Sequence, residues 1–548
     1  MKSAPFAIVW GVAIPLGALQ AWSGRTEIGW DGISYLDMAD ALWGGRWATA
    51  INGYWSPLYA ALLGAALRGL APAPYWEVPV VHLVNFGIYL AALGCFQFLV
   101  RGLGLATRSF QLLAGALYLW LALSVIKLHS TTPDLLMAGA LYLAAGCLVR
   151  VSRGSAGGWW VAGLGSALAL GYLAKAILFP LAFVFLAVVL FGSGNWRRGL
   201  GRAGLAALAF GVLSGPWLGA LARTKGRALF SDVGALNYAW YVNEVDLWGC
   251  WQGGPERSGR PQHAAQPIWD TPRAYHFAEP YRVTYPPWYE PSYWYEGVEV
   301  YFDLRQQLRA MYRNAETLYR TLLGWHAHLA VGALVLWWTA TRPRLRWSLL
   351  LPAGAGLMAH LVVYVEPRHA AVFATLLWLG VFSSLTPAEE EAGSGRVASA
   401  VGAAMLVVAV LHLAGTQIRD LRNPPAPLFQ EDPAANQQWQ IAQRLARLGL
   451  RSGDPVALVA THHEPPAWAR LGRLRIVAAV IHPDAPGFWM APPERQAQAV
   501  AALQRSGARV MVTDGIPAPL RPPGWQRIGA TEYWVYILGG GLEAASGL

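Results

Sequence analysis

The sequence predicts a polytopic α-helical membrane protein with about eleven transmembrane helices and a C-terminal α/β domain outside the membrane. Composition carries the first part: 55% of the 548 residues are hydrophobic, only 13% are charged, and the mean hydropathy is +0.33. That is too apolar and too long for one soluble core. Apolar runs of span length recur from the N-terminus to about residue 415, interrupted by short arginine clusters. After Asp420 the pattern changes to short apolar strands alternating with helical repeats.

Taken in order, the expected spans are 4–22, 77–100, 109–127, 133–150, 158–174, 176–192, 203–221, 319–340, 347–364, 369–385 and 397–415. The long apolar stretch 158–192 divides at Lys175, and 55–70 is a dipping helix or part of a span. The first span lacks a small-x-small cleavage site before Asp31 and reads as a retained signal anchor. With a cytoplasmic N-terminus, the turns holding Arg101 and Arg108, Arg150 and Arg153, Arg197, Arg198 and Arg202, and Arg342, Arg344 and Arg346 all fall inside. This obeys the positive-inside rule. The turn with Glu389, Glu390 and Glu391 is acidic, which counts little in that rule. The expected location is the cytoplasmic (inner) membrane, with the C-terminal domain on the far side.

The net charge of +11 and pI near 9.6 come from those turns, not from a basic groove, so nucleic acid is not the expected partner. Of the three cysteines, Cys95 and Cys147 fall in spans and Cys250 stands alone in a loop. They form neither a disulfide framework nor a metal-ligand pattern.

The division that follows is an N-terminal membrane half, 1–222, containing a first external loop, 23–76; an aromatic-rich external loop, 223–318; further membrane helices, 319–418; and the α/β domain, 419–548. The external side collects the polar residues. Asp31, Tyr35, Asp37 and Asp40 lie in the first loop, and a helix there puts Asp31 and Tyr35 on one face. Asp134, Lys175 and the Glu366-Pro367-Arg368-His369 turn emerge on the same side. His82, Asn85 and Tyr89 share one face of the second span, extending a cavity or bonding helix to helix. The aromatic run 284–295 suits either a membrane-interface belt or a lid over substrate. In the last domain 455–460, 474–481 and 508–513 read as buried strands, with helices at 433–449 and 493–506. His462-His463-Glu464 follows the first of these strands, at a strand end; without a further ligand at metal spacing its expected role is structural.

The stretches Asp31–Ala39, Gly53–Tyr59, Thr132-Pro133-Asp134, Gly171–Lys175 and Glu366–His369 together resemble the GT-C membrane glycosyltransferases. The nearest likeness is to the bacterial branch of protein O-mannosyltransferase-like, Rgt-like and aminoarabinose transferase-like enzymes. It spans roughly residues 1–415. It implies that a sugar on a polyprenyl phosphate enters from the bilayer and that an acidic residue of the first external loop, here Asp31, sits at the active centre. Two departures stand out. Many relatives have Asp-Glu where this chain has Asp31-Gly32, and many end the late motif in Arg-Tyr where this chain has Arg368-His369.

The residue types fit that chemistry. Transfer to a hydroxyl needs a base for the acceptor proton and cations for the departing phosphate. Asp31 is the expected base and Asp134 the second catalytic residue, a polar contact to the acceptor or base; Lys175 and Arg368 are the expected phosphate clamp. Tyr35, His82, Asn85, Glu366 and His369 complete the expected binding set. No metal site is read from the sequence, and the cofactor expectation goes no further than room for a divalent Mg or Mn ion. The expected activity is hexosyl or pentosyl transfer from the lipid donor to a hydroxyl of a glycan, lipid or protein in the cell envelope. The alternative is a transporter or flippase for a lipid-linked solute, but no half-to-half repeat is evident and the polar residues gather at one surface.

Overall fold

The computed structural model describes residues 4–105, 107–154, 157–247, 251–324, 326–339, 343–385, 394–422, 436–518, 520 and 522–538. Cys250, Arg342, the acidic turn of Glu389, Glu390 and Glu391, and the opening of the helix expected at 433–449 lie outside these residues.

Among the described residues, seven helices are long and apolar enough to cross a membrane: Ala4–Ser23, Pro74–Leu103, Arg108–Ile126, Asp134–Ser152, Trp196–Lys225, Pro367–Leu385 and Arg396–Arg422. Leu304–Gly324 and Ala327–Thr339, bent by 69° at their junction, make an eighth if taken as one span. The other expected spans fall on shorter apolar helices, Gly158–Ala174, Leu178–Phe191 and Trp347–Val362. By length and composition alone, seven or eight of the expected eleven are spans of full length and the others are the shorter apolar helices.

The bundle closes through small residues, as helices do in lipid where hydrophobicity does not drive them together. A Cβ on Gly139 would meet Ala92 at 3.2 Å, and one on Gly165 would meet the Ala206 carbonyl oxygen at 2.0 Å. These glycines set how closely Asp134–Ser152 approaches Glu77–Leu103 and how closely Gly158–Ala174 approaches Trp196–Lys225.

Outside the bundle stands one seven-stranded sheet. Its strands are β1 (Gln266–Asp270), β2 (Arg273–His276), β3 (Pro455–Val459), β4 (Arg475–Val480), β5 (Val510–Thr513), β6 (Trp525–Arg527) and β7 (Trp534–Ile537), in the spatial order β1-β2-β4-β3-β5-β7-β6. The centre β4-β3-β5 is parallel and both flanks are antiparallel. The three central strands are those expected from their apolar runs. β1 and β2 come from the aromatic-rich loop, so that loop and the C-terminal segment share a sheet: Ala274 pairs with Val480 and His276 with Ala478.

The sheet layer is fastened to the first external loop by a buried ion cluster. Helix Trp30–Trp43 carries Asp37 and Asp40 on the side facing the sheet domain. Arg470, only 3% exposed, donates to Asp37 at 2.8 Å, to Asp40 at 2.6 Å and to Glu77 at 2.9 Å. Arg473 reaches Glu77 at 2.7 Å, and Thr284 donates both its N–H and its hydroxyl to Asp37. Burial raises the Asp37 carboxyl from its ordinary range, with Arg470 opposing. A guanidinium fork suits this bridging task better than a point charge.

Arg470→Met removes the arginine paired with buried Asp37 and leaves Glu77 to Arg473. The expected cost is about 3–5 kcal/mol, read as a lower thermal midpoint of the detergent-solubilised protein; an unchanged midpoint would show that the cluster does not hold the layers together.

Candidate active site

The first loop forms helix Trp30–Trp43, and its i, i+4 geometry does bring Asp31 and Tyr35 to one side. Both line a cavity of about 270 Å³ whose wall also includes Tyr54, Lys175, Trp288, Glu366, Arg368 and His369. A second, more polar cavity of about 700 Å³ lies on the other side of Asp31, roofed by Asn436, Gln437 and Glu464 of the C-terminal domain. Asp31, Thr132 and Arg368 line both.

Local backbone explains each placement. Lys175 occupies an extended break (φ −155°, ψ 127°) between Gly158–Ala174 and Leu178–Phe191, which turns its side chain inward. Asp134 opens helix Asp134–Ser152, where the helix dipole favours an acid. Pro367 opens Pro367–Leu385, placing Arg368 in its first turn.

Asp134 has no exposed side-chain surface, and the cations gather around it. Lys175 donates to Asp134 Oδ1 and to His369 Nε2, so that ring nitrogen accepts and His369 is the neutral tautomer protonated at Nδ1. Thr132 donates to Asp134 Oδ2 at 2.8 Å. Arg368 lies 2.8 Å from Glu366, 3.4 Å from Asp31 and 3.6 Å from Asp134. Asp31 is partly open and receives the Trp288 indole N–H at 3.1 Å. Burial, then the Asp31 charge, pushes the phenols of Tyr35 and Tyr54 well up, so both stay neutral donors.

The expected residues thus divide. Asp31, Tyr35, Asp134, Lys175, Glu366, Arg368 and His369 converge. His82 and Asn85 stand outside both cavities: His82 Nε2 is 2.8 Å from the Glu27 carbonyl, while Asn85 accepts from Tyr59 and donates to the Leu128 carbonyl. They tie the second span to the loops on either side. Among the described residues no three His, Cys, Asp or Glu side chains are grouped to hold a metal ion. Asp31, Asp134 and Glu366 each turn an oxygen toward Lys175 or Arg368, while Asp31 Oδ1 accepts from Trp288 and Asp134 Oδ2 from Thr132.

Trp288 was missing from the expected site, although it sits in the aromatic run that drew notice. The carbonyl of Trp288 accepts from Ser34 and Trp55, and Glu290, 1% exposed, accepts from the Gly53 N–H at 3.0 Å. Tyr241 stacks on Tyr364 at 3.8 Å between ring centres, closing the cavity from the opposite side.

Gly32 is sterically required. A Cβ there would lie 2.0 Å from Thr131 Oγ1 and 2.9 Å from Ile28. Thr131 fills the space beside Gly32 and also accepts the Gly29 N–H at 3.2 Å. Gly32→Ala is expected to lower the thermal midpoint, with partial recovery in Gly32→Ala combined with Thr131→Gly; equal midpoints for Gly32→Ala and wild type would contradict this packing.

No family model matches the sequence, and no curated protein sequence matches it. Solved structures do. ArnT from Cupriavidus metallidurans bound to undecaprenyl phosphate aligns over 100% of both chains at 12% identity and a TM-score of 0.51. Its apo form aligns over 98% of this chain and 100% of that one, at 13% identity and a TM-score of 0.53. The oligosaccharyltransferase AglB from Archaeoglobus fulgidus, in complex with an inhibitory peptide and a dolichol-phosphate, aligns over 94% of this chain and 69% of that one, at 12% identity and a TM-score of 0.50. The likeness runs the length of the chain, α/β domain included. The fold of this chain is that of the GT-C membrane glycosyltransferases.

Proposed function

We propose that the protein transfers a sugar from a polyprenyl-phosphate donor to an acceptor hydroxyl, on the external face of the cytoplasmic membrane, with Asp31 as general base. The observation that carries this reading is the position of Asp31 and Arg368 on the wall common to a cavity among membrane helices and a polar cavity under the sheet domain. The fold shared with ArnT bound to undecaprenyl phosphate and AglB bound to dolichol-phosphate supports a lipid-phosphate donor.

In this reading the donor phosphate lies in the membrane-side cavity, between Lys175 and Arg368. The acceptor oxygen attacks the anomeric carbon from the polar side, the bond from that carbon to the phosphate oxygen breaks, and the phosphate leaves with the electron pair. Asp31 takes the acceptor proton. Lys175 and Arg368 neutralise the leaving group, and Arg368 can offer two nitrogens at once. Trp288 donates to Oδ1 of Asp31 and Arg368 to Oδ2, so the carboxylate is oriented between them, and as Arg368 turns to the departing phosphate Oδ2 is the oxygen that takes the acceptor proton. Asp134, wholly buried and on neither cavity wall, holds the two cations in place, a positioning role instead of the contact to acceptor or base expected from the sequence. No step is assigned to a metal ion. The N-terminus is then cytoplasmic and the α/β domain outside, and the transferred group is a hexose or pentose.

The test is transfer of label from radiolabelled polyprenyl-phosphate sugars in membranes containing each variant. Asp31→Asn should cut transfer by about 10²–10⁴ with the thermal midpoint unchanged, whereas Asp134→Asn should lower both transfer and midpoint. Full transfer by Asp31→Asn would remove it as the base.

A further inference from the structure

The polar cavity has a charge pattern of its own. Its acidic groups are Glu27, Asp31 and Glu464, and among the described lining residues its one permanent cation is Arg368, which faces Asp31, Asp134 and Glu366 and, in the glycosyl-transfer reading, is taken up by the donor phosphate. His129, on the same wall, is pushed down to about 4 by burial and by Lys127, and is neutral at neutral pH. Lys127 itself lies 3.6 Å from Asp420. A phosphorylated acceptor entering here would give up water and meet three carboxylates with no uncommitted cation on the described wall, a costly exchange.

The rest of the wall offers neutral hydrogen-bonding groups. Asn436 caps its helix through Oδ1, which accepts the Trp439 N–H at 3.2 Å and leaves the amide NH2 as a donor. Gln437 beside it is exposed. Amides and the Thr131 and Thr132 hydroxyls both donate and accept, matching sugar hydroxyls in either sense.

This wall is shaped in advance. Asp514 accepts the N–H groups of Thr461, His462 and Glu464 at 2.6, 3.0 and 3.0 Å, folding the loop after β3 tightly enough that His463 adopts φ +60°. His463 then stacks on Trp30, the neighbour of Asp31, with ring centres 4.9 Å apart. Glu464 is thereby set at the rim, where it meets whatever approaches Asp31 from the polar side.

We infer that the acceptor is an uncharged, polyhydroxylated glycan, selected by the α/β domain through Asn436, Gln437 and Glu464, and that phosphorylated acceptors are turned away at this wall. This rests on the glycosyl-transfer reading above and adds to it the class of acceptor and a task for the C-terminal domain.

The experiment follows label from radiolabelled polyprenyl-phosphate sugar onto endogenous acceptors in membranes of the wild type. Mild acid frees glycans from any lipid phosphate, and labelled fragments larger than a monosaccharide are passed over an anion exchanger. The inference expects the label in the unretained fraction. Label retained until phosphatase treatment, or label remaining on polypeptide, overturns it while leaving glycosyl transfer standing. No label beyond the donor's own monosaccharide overturns the transfer reading and this inference with it. In parallel, Glu464→Arg is offered a neutral oligosaccharide and its monophosphate. The ratio of phosphorylated to neutral product should rise about tenfold. Because a misfolded enzyme loses both products alike, an unchanged ratio with transfer intact shows that Glu464 does not meet the acceptor and overturns the assignment.

Discussion

The carboxylate of Asp134 is the constraint around which the site is built. A side chain with no exposed surface, at the end of a membrane helix, cannot stay ionised without partners. It draws Thr132 from the preceding turn, Lys175 from a break between two helices, and Arg368 and His369 from the first turn of a helix more than two hundred residues away. Those contacts tie together three separate stretches of chain, 132–134, Lys175 and 368–369. The cations so gathered stand next to the membrane-side cavity, and the partly open Asp31 is held over them by Arg368 and Trp288.

A second set of buried charges does the same work one layer up. Arg470 bridges Asp37, Asp40 and Glu77, while Glu290 receives the Gly53 N–H and lies near Lys225. The helix bearing Asp31 is therefore gripped on its far side by the sheet domain, and the turn after it by the aromatic loop. With β1 and β2 of that loop hydrogen-bonded into the sheet, the loop, the C-terminal domain and the first external helix are joined by strand pairing and by the Arg470 ion cluster. Gly53 shows how tight the fit is: a Cβ there would lie 2.3 Å from Asp232 and 2.7 Å from Ser292.

Much of this was legible in the chain because apolar span length and strand runs are local signals. The helices at 4–22, 109–127, 133–150 and 369–385, and the strands β3, β4 and β5, fall where their hydrophobic runs put them. The spans expected at 158–174, 176–192 and 347–364 fold as apolar helices of 17 residues or fewer, because Lys175 breaks the long run 158–192 and the turn after Val362 ends the other. Strands β1 and β2 gave little sign: Gln266–Asp270 and Arg273–His276 are short and mixed in polarity; β1 pairs with β2, and β2 joins the sheet by pairing with Val480 and its neighbours, some two hundred residues away. The convergence of Asp31, Asp134, Lys175 and Arg368 was read from sidedness and resemblance. Trp288 and Arg470 were not, because one lay in a run of many similar rings and the other among ordinary surface-like arginines. His82 and Asn85 share a helix face with Tyr89 as their spacing required, but spacing says nothing about whether that face meets a cavity or the Glu27 and Leu128 carbonyls.

The central claim is that one carboxylate, Asp31, separates a lipid-phosphate site from an acceptor site. The most direct measurement is a structure of the full-length protein in lipid nanodiscs with undecaprenyl phosphate added. The account predicts phosphate density between Lys175 and Arg368, in the cavity shared with Tyr54 and Trp288, with the isoprenoid tail leaving among the membrane helices. Phosphate density in the polar cavity beside Asn436 and Glu464, with the membrane-side cavity left without it, would contradict the account.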